Sequence, residues 1–202
     1  MKRLAIFVSG SGTNMENIVK AARARTIKRA EVALVVSDNP KAFALKRCDR
    51  LKVPSIVVYR KNFEDKDAFE KAILRELRAD DIDFIVLAGY MRIIGPKILK
   101  EYKNKILNIH PALLPSFPGA HGIKDAFKAG VKVTGVSVHI VDAGVDTGPI
   151  VLQQALEVKK NETLESLEKR IHKIEYELYP QAIQLMVDGK IKINKGKITV
   201  LS

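Results

Sequence analysis

Short apolar runs alternate with amphipathic stretches over the first half of the chain. The runs are rich in β-branched residues, and the stretches between them space their apolar positions as a helix does. The expected strands are residues 4–8, 32–36, 55–59 and 84–88, and the expected helices are residues 14–25, 42–51 and 67–78. Because the strands are nearly continuous in apolar residues, helices should cover both faces of their sheet. The alternation therefore predicts an α/β fold whose N-terminal half is a doubly wound, mostly parallel, Rossmann-like sheet.

The pattern changes after a further expected strand at residues 105–109. A loop with three prolines follows, then a short helix near residues 124–129 and two long β runs, 133–141 and 150–158. A Gly-rich and Asp-rich connection joins these runs, so we expect an antiparallel pair that extends the sheet. Thr163 is the expected N-cap of a long helix to about Met186, and a short terminal hairpin should occupy residues 191–200.

Composition narrows the class of protein without identifying it. The 202 residues are 47% hydrophobic, which suffices for one core without disulfides, and the single Cys48 has no partner for a disulfide or a metal pair. No metal site is expected. The sequence has no signal-peptide pattern and no apolar span long enough for a bilayer, so we expect a cytoplasmic protein without membrane association.

The charge balance favours anionic partners but does not choose among them. Lys and Arg number 35 against 23 for Asp and Glu, a net charge of +12, which would attract phosphates, polyglutamates or nucleic acid. The densest basic stretch, residues 20–29, contains no aromatic residue for base stacking. A solvated helix face is therefore favoured there over an RNA-binding patch.

A loop of small residues, Ser9–Asn14, lies between the first expected strand and the first expected helix. Main-chain N–H groups at such a helix start can bind an anion, which favours a phosphate monoester. No Gly-Lys-Ser/Thr follows, and Met15 stands where a dinucleotide fingerprint has its third glycine, although Asp38 could serve as an acidic ribose partner. Dinucleotide binding and a plain tight turn remain the alternatives.

Polar side chains also gather near the end of the strand at 105–109 and in the loop at 142–148. Asn108 and His110 alternate with apolar neighbours and so share one side of their strand, at the strand end where α/β folds bind ligands. Asp142 and Asp146 either cap turns or, if one of them lies beside a histidine, couple to it. For each of these residues, hydrogen bonding to loop backbone is the alternative to catalysis.

Glu175 occupies an unusual position on the long C-terminal helix. At 100° per residue it falls on the edge of the apolar stripe formed by Leu164, Leu167, Ile171, Ile174 and Leu178. A carboxylate in that position needs a partner, which is either a lysine or a ligand amine or hydroxyl.

Taken together, these motifs resemble the phosphoribosylglycinamide formyltransferase family, the 10-formyltetrahydrofolate-dependent enzymes of purine biosynthesis. The segments that carry the resemblance are residues 9–14, 88–94, 107–115 and 146–150, in this order and at these separations. The resemblance implies a formyltransferase fold over residues 1–202, with a phosphate-binding half (1–104) and a catalytic and folate-binding half (105–202).

The same resemblance implies a role for particular residues. It makes Asn108, His110 and Asp146 the catalytic set, which uses no ATP, metal or covalent intermediate. It implies that the substrate phosphate binds Gly12, Thr13 and Asn14, with the substrate amine near Glu175. It implies that the co-substrate 10-formyltetrahydrofolate contacts the residues Lys66, Met91, Arg92, Ile93, Ile94, Asn108 and Val141. For Lys66 an ordinary surface role is the alternative, and His121 and His139 are as well explained by structural roles.

Related enzymes provide the competing functions. Methionyl-tRNA formyltransferases and formyltetrahydrofolate hydrolases resemble this core but carry a further domain, for which 202 residues leave no room. The expected partners are therefore small molecules and not nucleic acid, with the protein a monomer or a homodimer. A sugar-amine formyltransferase, a hydrolase of the same co-substrate and a non-catalytic nucleotide-binding module remain the alternatives.

Overall fold

The computed structural model describes residues 1–194 and 196–201. Within these residues the strands form a seven-stranded sheet in the order β3-β2-β1-β4-β5-β6-β7 and a two-stranded sheet, β8-β9. The strands are β1 Lys2–Val8, β2 Ala30–Ser37, β3 Ser55–Val57, β4 Phe84–Leu87, β5 Ile106–His110, β6 Val133–Ile140, β7 Ile150–Glu157, β8 Ile191–Asn194 and β9 Lys197–Val200. The helices are α1 Thr13–Arg23, α2 Phe43–Leu51, α3 Lys66–Ala79, α4 Pro96–Glu101, α5 Gly122–Lys128 and α6 Leu164–Val187.

Packing divides the chain into two compact units, Met1–Leu107 and Asn108–Ser202. In the first unit, β1 pairs in parallel with β2 and with β4, and β2 pairs in parallel with β3. Residues 4–8 of β1 are fully buried, as a strand covered on both faces requires. This confirms the doubly wound, mostly parallel sheet expected from the apolar runs.

In the second unit, β6 and β7 are antiparallel, as the Gly-rich connection between them predicts. The long helix α6 follows, and the side chain of Thr163 accepts a hydrogen bond from the Ser166 N–H, so the expected N-cap is confirmed. The apolar stripe of α6 is buried and the helix packs on β6 and β7. The terminal hairpin is β8-β9; Lys195, which falls within the expected hairpin, lies outside the described residues.

Two local elements are absent from the sequence-based expectations. One is a single 3-10 turn at Arg60–Asn62, and the other is the six-residue helix α4, which begins at Pro96. Both are too short to show a periodic apolar pattern, although a proline in the first turn is a known helix start.

The expectation of one domain over residues 1–202 stays a prediction. Across the described residues, no helix combines the length and the apolar character that crossing a bilayer requires.

Candidate active site

Three side chains expected to act together meet in the second unit. The Nδ1 atom of His110 lies 3.3 Å from the Oδ2 atom of Asp146, and the Nδ2 atom of Asn108 donates to the Oδ1 atom of Asp146 at 3.2 Å. Asn108 and His110 come from β5, where a period of two places them on the same side. Asp146 comes from the connection between β6 and β7. An amide and an imidazole from β5 and a carboxylate from a distant loop therefore form one contact network.

His110 is almost fully buried and has an acceptor at each ring nitrogen. Its Nε2 atom lies 2.7 Å from the carbonyl oxygen of Phe117, and its Nδ1 atom faces the carboxylate of Asp146. Because a carbonyl and a carboxylate can only accept, this environment accommodates a proton on both ring nitrogens. The ring fits closely against α5, since a Cβ atom on Gly122 would lie 2.9 Å from Nε2. The geometry suits an imidazolium in a fixed position.

The loop that carries Asp146 holds its carboxylate in an ionised form. Asp146 has a φ of 55°, and its Oδ2 atom accepts from the Gly119 N–H at 2.8 Å. Burial acts to raise the pKa of Asp146, but the hydrogen bond from the Gly119 N–H and the nearby charge of His110 lower it overall. A close approach by Gly148, whose Cβ would lie 1.8 Å from the Ile140 carbonyl oxygen, shapes the same loop.

His139 on β6 is a buried member of the network whose role the sequence leaves open. Its Nδ1 atom lies 2.9 Å from the Ile140 carbonyl oxygen, which requires a proton on Nδ1. Its Nε2 atom lies 3.1 Å from Nδ2 of Asn108 and 3.4 Å from Oδ1 of Asp146. With the ring proton on Nδ1, Nε2 accepts from the Asn108 amide. His139 thereby orients Asn108 and belongs to the site; alternation along β6 places it opposite the apolar Val138 and Ile140, so no local pattern signals its burial.

The loop Ser9–Gly12 and the start of α1 form the expected anion site in the first unit. Three carbonyl oxygens of the loop accept hydrogen bonds: Ser9 from Asn39 Nδ2, Gly10 from the Ala44 N–H and Ser11 from Arg47 Nε. These bonds turn the negative ends of the peptide dipoles toward the protein. The Glu16 N–H donates to the Gly12 carbonyl oxygen, and a helix supplies no carbonyl of its own to the N–H groups before this one, so this end suits a phosphate.

Gly12 is the residue that allows the loop to reach α2. It has a φ of 75°, and a Cβ atom there would lie 2.6 Å from the Cβ atom of Ala44. Any other residue would be strained in this conformation and would collide with α2. The requirement for glycine is thus one of conformation and of space.

The expected co-substrate residues of the first unit form a partly apolar surface. The side chains of Met91 and Ile93 are 66% and 62% exposed, which is unusual for residues of this size, whereas Ile94 is buried. Arg92 Nε donates to the buried Asp38 at 2.6 Å, and the Met91 N–H donates to Ser9 Oγ at 2.8 Å. The segment is therefore anchored to the anion loop and to the end of β2.

The two remaining co-substrate candidates lie at the ends of other elements. Lys66 is exposed at the start of α3, after the N-cap Asp65, and Val141 is half-buried at the end of β6, in the second unit. Their expected roles stay predictions.

Glu175 is buried on α6 beside His172, a partner other than the expected lysine or ligand. The Nδ1 atom of His172 lies 2.7 Å from the Oε2 atom of Glu175, and the His172 ring stacks on Tyr176. The bond to Glu175 raises the pKa of His172. The spacing of three residues on one helix is the signal that could have identified His172.

The comparisons with known proteins agree with this fold. The family model for formyl transferases matches residues 2–183 of the chain. The chain therefore belongs to the formyl transferase family.

Individual relatives make the assignment narrower. The chain is similar to the phosphoribosylglycinamide formyltransferase of Bacillus subtilis, with 46% identity over 93% of this chain and 95% of that one. It is also 38% identical to the trifunctional purine biosynthetic protein adenosine-3 of Drosophila melanogaster, over 96% of this chain but only 14% of that one. The crystal structure of glycinamide ribonucleotide transformylase 1 from Symbiobacterium toebii matches with a TM-score of 0.96 and 40% identity, covering 100% of this chain and 95% of the other. The resemblance to phosphoribosylglycinamide formyltransferases, stated from the sequence, is confirmed.

Proposed function

We propose that this protein transfers the formyl group of 10-formyltetrahydrofolate to the primary amine of 5-phosphoribosylglycinamide, a step of purine biosynthesis. Membership of the formyl transferase family and 46% identity to a phosphoribosylglycinamide formyltransferase support the reaction. The observation that carries the proposal is the convergence of Asn108, His110 and Asp146 on one contact network. That set can stabilise an oxyanion and move a proton, which are the two requirements of formyl transfer.

The first step is attack of the neutral amine nitrogen on the formyl carbon, which places negative charge on the formyl oxygen. Donors that face this oxygen lower the barrier, and loss of one such donor typically costs about 3 kcal/mol. Asn108 Nδ2 supplies one N–H, the one that in the structure is donated to Asp146 and that turns to the formyl oxygen when the substrate binds. His110 supplies another through Nε2, which in the structure is bonded to the Phe117 carbonyl oxygen. The formyl oxygen takes the place of that carbonyl when the substrate binds.

The second step moves one proton from the attacking nitrogen to N10 of the folate as the carbon–N10 bond breaks. Asp146 is ionised and in contact with His110, so it keeps the imidazole charged while the oxyanion exists. It also accepts a proton from the attacking nitrogen, directly or through water, and returns it to the leaving nitrogen. The proton count balances without metal, ATP or a covalent intermediate.

Further residues bind the two substrates, and Asn108 serves both the catalytic set and the folate contacts. The phosphate binds the N–H groups at Gly12, Thr13 and Asn14, and the amine-bearing end is held by Glu175. The folate contacts Met91, Arg92, Ile93, Ile94, Val141, Asn108 and Lys66. Exposed apolar side chains at Met91 and Ile93 support the folate assignment, because a pterin needs apolar walls beside polar groups. We further propose small-molecule partners only, a cytoplasmic location and a monomer or homodimer.

The test is a formyl-transfer assay with the purified chain alone. Tetrahydrofolate release is followed spectroscopically with and without 5-phosphoribosylglycinamide, and with a panel of other amines including sugar amines. Release that depends on 5-phosphoribosylglycinamide is the expected result. Release without any amine would indicate a hydrolase, and release with a sugar amine alone would replace the proposed acceptor.

A further inference from the structure

Glu70 is a buried carboxylate on α3 that the function proposed above does not use. The residue is 1% exposed. Its Oε2 atom accepts a hydrogen bond from the Lys97 N–H at 3.1 Å, and its Oε1 atom has no hydrogen-bond partner among the residues that the structure describes. Removal of a carboxylate from water is costly, and an apolar side chain would fill the same space at a lower cost. A role beyond packing is therefore required at this position.

The contact of Glu70 fixes the point at which the chain enters α4. Lys97 is the second residue of that helix, so its N–H has no acceptor within the helix, and Glu70 supplies one. A Cβ atom on Gly95 would overlap the Glu70 carboxylate, whose three atoms are its nearest neighbours. Gly95 has a φ of −95° and a ψ of 176°, an extended conformation that any residue adopts. Glycine is therefore required here by the space that Glu70 occupies and not by the backbone conformation.

Residues 91–94, the proposed folate segment, lead directly into Gly95 and are held from inside the first unit. The Arg92 side chain turns inward, where Nε donates to the buried Asp38 at 2.6 Å. The Arg92 guanidinium also lies 5.9 Å from the ring centroid of Phe69, the residue before Glu70 on α3. The segment thus contacts the end of β2 and α3 through one inward side chain.

Tyr90, directly before the segment, lies close to the same carboxylates. Its ring packs edge-on against Phe7 of β1, with the ring centroids 5.2 Å apart. Burial raises the pKa of Tyr90, and the charges of Asp38 and Glu70 raise it further, so both carboxylates lie near this ring. The chain is therefore anchored on both sides of residues 91–94.

We propose that Glu70 is a positioning residue for the co-substrate, which holds the start of α4 and thereby fixes the main chain of residues 91–94. The exposed Met91 and Ile93 belong to the proposed folate contacts, whereas Glu70 is buried and acts through this segment. Loss of its carboxylate should let the entry into α4 shift and weaken folate binding, without changing the groups that carry out the reaction. The inference rests on the proposed function, because it takes residues 91–94 as folate contacts.

The first test is the kinetics of Glu70→Ala, which leaves the Lys97 N–H without its acceptor. The KM for 10-formyltetrahydrofolate should rise roughly tenfold, the order expected for loss of one buried acceptor. The KM for 5-phosphoribosylglycinamide and kcat should stay within about twofold, because uniform binding of one substrate is lost. Glu70→Gln keeps an oxygen that can accept from the same N–H and should restore most of the folate affinity. A purely structural defect would instead affect the KM of both substrates.

The matched control for these kinetics is Glu101→Gln. This carboxylate lies at the other end of α4, where it accepts a hydrogen bond from Arg78 at 2.8 Å. Its loss removes the same charge from the neighbourhood of α4 but leaves the start of the helix in place. All three kinetic constants should therefore match the wild type.

Gly95→Ala tests the same contact from the other side and retains every native polar group. The added Cβ atom should displace the Glu70 carboxylate from the Lys97 N–H, so the folate KM should again rise. In Glu70→Ala/Gly95→Ala the methyl group has no carboxylate to displace, so the double variant should match Glu70→Ala within about twofold. Effects that multiply would show that Gly95→Ala acts without Glu70 and would contradict the inference. This variant also gives an answer if Glu70→Ala does not fold.

Two measurements that need no turnover separate this inference from the proposed reaction. Calorimetric titration with tetrahydrofolate should show a roughly tenfold loss of affinity in Glu70→Ala and little loss in Glu70→Gln. Hydrogen exchange of the Lys97 amide should be faster in Glu70→Ala alone of these two variants. A wild-type protein that binds tetrahydrofolate but transfers no formyl group would refute the proposed function and leave the role of Glu70 supported.

Two results would overturn the inference itself. One is a folate KM and a tetrahydrofolate affinity that stay at the wild-type values in both Glu70→Ala and Gly95→Ala. The other is an equal rise in the KM of both substrates, which would reduce Glu70 to a structural residue.

Discussion

The two candidate regions of this molecule are built by different means. The anion loop of the first unit relies on main-chain N–H groups, a glycine and inward-facing carbonyls, whereas the site of the second unit relies on side chains that bond to one another. A backbone site is sensitive to conformation and tolerates changes of many side chains. A side-chain site depends on the identity of each functional group. Substitutions should therefore act on binding and stability in the first region and on turnover in the second.

The largest expected effect is on turnover in the second unit. In Asp146→Asn the amide can still accept from the Gly119 N–H, but it neither holds His110 charged nor accepts a proton. We expect kcat to fall by about 10³-fold, within the range for loss of acid–base catalysis, while substrate KM changes little. Steady-state kinetics measures kcat and KM, and a thermal melt checks that the variant is folded. Asp142→Asn, whose exposed carboxylate accepts local bonds from Gly144 and Thr147, is the control. Near-normal turnover in Asp146→Asn would exclude Asp146 from the mechanism.

The next effect tests the backbone character of the anion loop. Gly12→Ala introduces a Cβ atom 2.6 Å from that of Ala44 at a φ of 75°, so strain and overpacking combine to cost about 2–4 kcal/mol of unfolding free energy. Affinity for the phosphorylated substrate should fall as the loop shifts. Urea unfolding and calorimetric titration report the two effects. Gly10→Ala is the control, because its Cβ would meet nothing within 4 Å; equal effects of the two substitutions would contradict the spatial argument.

A pH experiment compares the carboxylates that support the two regions. A hydrogen bond from Lys20, together with Arg47 and Arg50, lowers the pKa of Glu16 to about 2, although burial acts to raise it. A lowered pKa means that Glu16 stabilises the fold above its unfolded pKa of about 4.3 and that this contribution is lost as the pH falls toward 2. Because the side chains of Lys20 and Arg50 are more than half exposed, we expect the ionised Glu16 to add about 1–2 kcal/mol to the free energy of unfolding at pH 7.

Urea unfolding of the wild type and Glu16→Gln from neutral pH to about pH 2 measures this contribution. The difference in unfolding free energy between the two should be present at pH 7 and vanish near pH 2. The exposed Glu64→Gln is the control. A difference that stays constant with pH would mean that Glu16 acts through packing and not through its charge. Asp146, whose pKa is also lowered, should show the same sign in the second unit.

The smallest expected effect concerns His172, whose pKa is raised by Glu175. A raised pKa means that the pair stabilises the fold below the unfolded histidine pKa of about 6.5 and that the contribution is lost as the pH rises through the folded value. The His172 side chain is 46% exposed, so we expect the pair to add less than about 1 kcal/mol to the free energy of unfolding. Unfolding of His172→Gln should match the wild type at pH 9 and fall slightly below it at pH 6. A His172→Gln variant that is more stable than the wild type at pH 6 would contradict a stabilising pair between charged His172 and Glu175.

The sequence by itself determined the periodic parts of this protein. Apolar runs predicted the buried parallel strands, and the spacing of Thr163 and the stripe that follows predicted the start of α6, because local patterns express local geometry. The proposed catalytic set also came from the sequence, but through resemblance and not through spacing. Asn108 and His110 share a strand side, whereas nothing local relates them to Asp146.

Only the tertiary structure decided which groups touch. It brought Asp146 to His110, added His139 as the acceptor for Asn108, and paired Glu175 with His172. It also joined α3 to α4 through Glu70 and Lys97. The helix α4 was too short to be predicted from the sequence. These contacts join residues through folding of the chain over long separations or through the choice of one rotamer among several. Local propensity carries no information on either, so the packed structure is required.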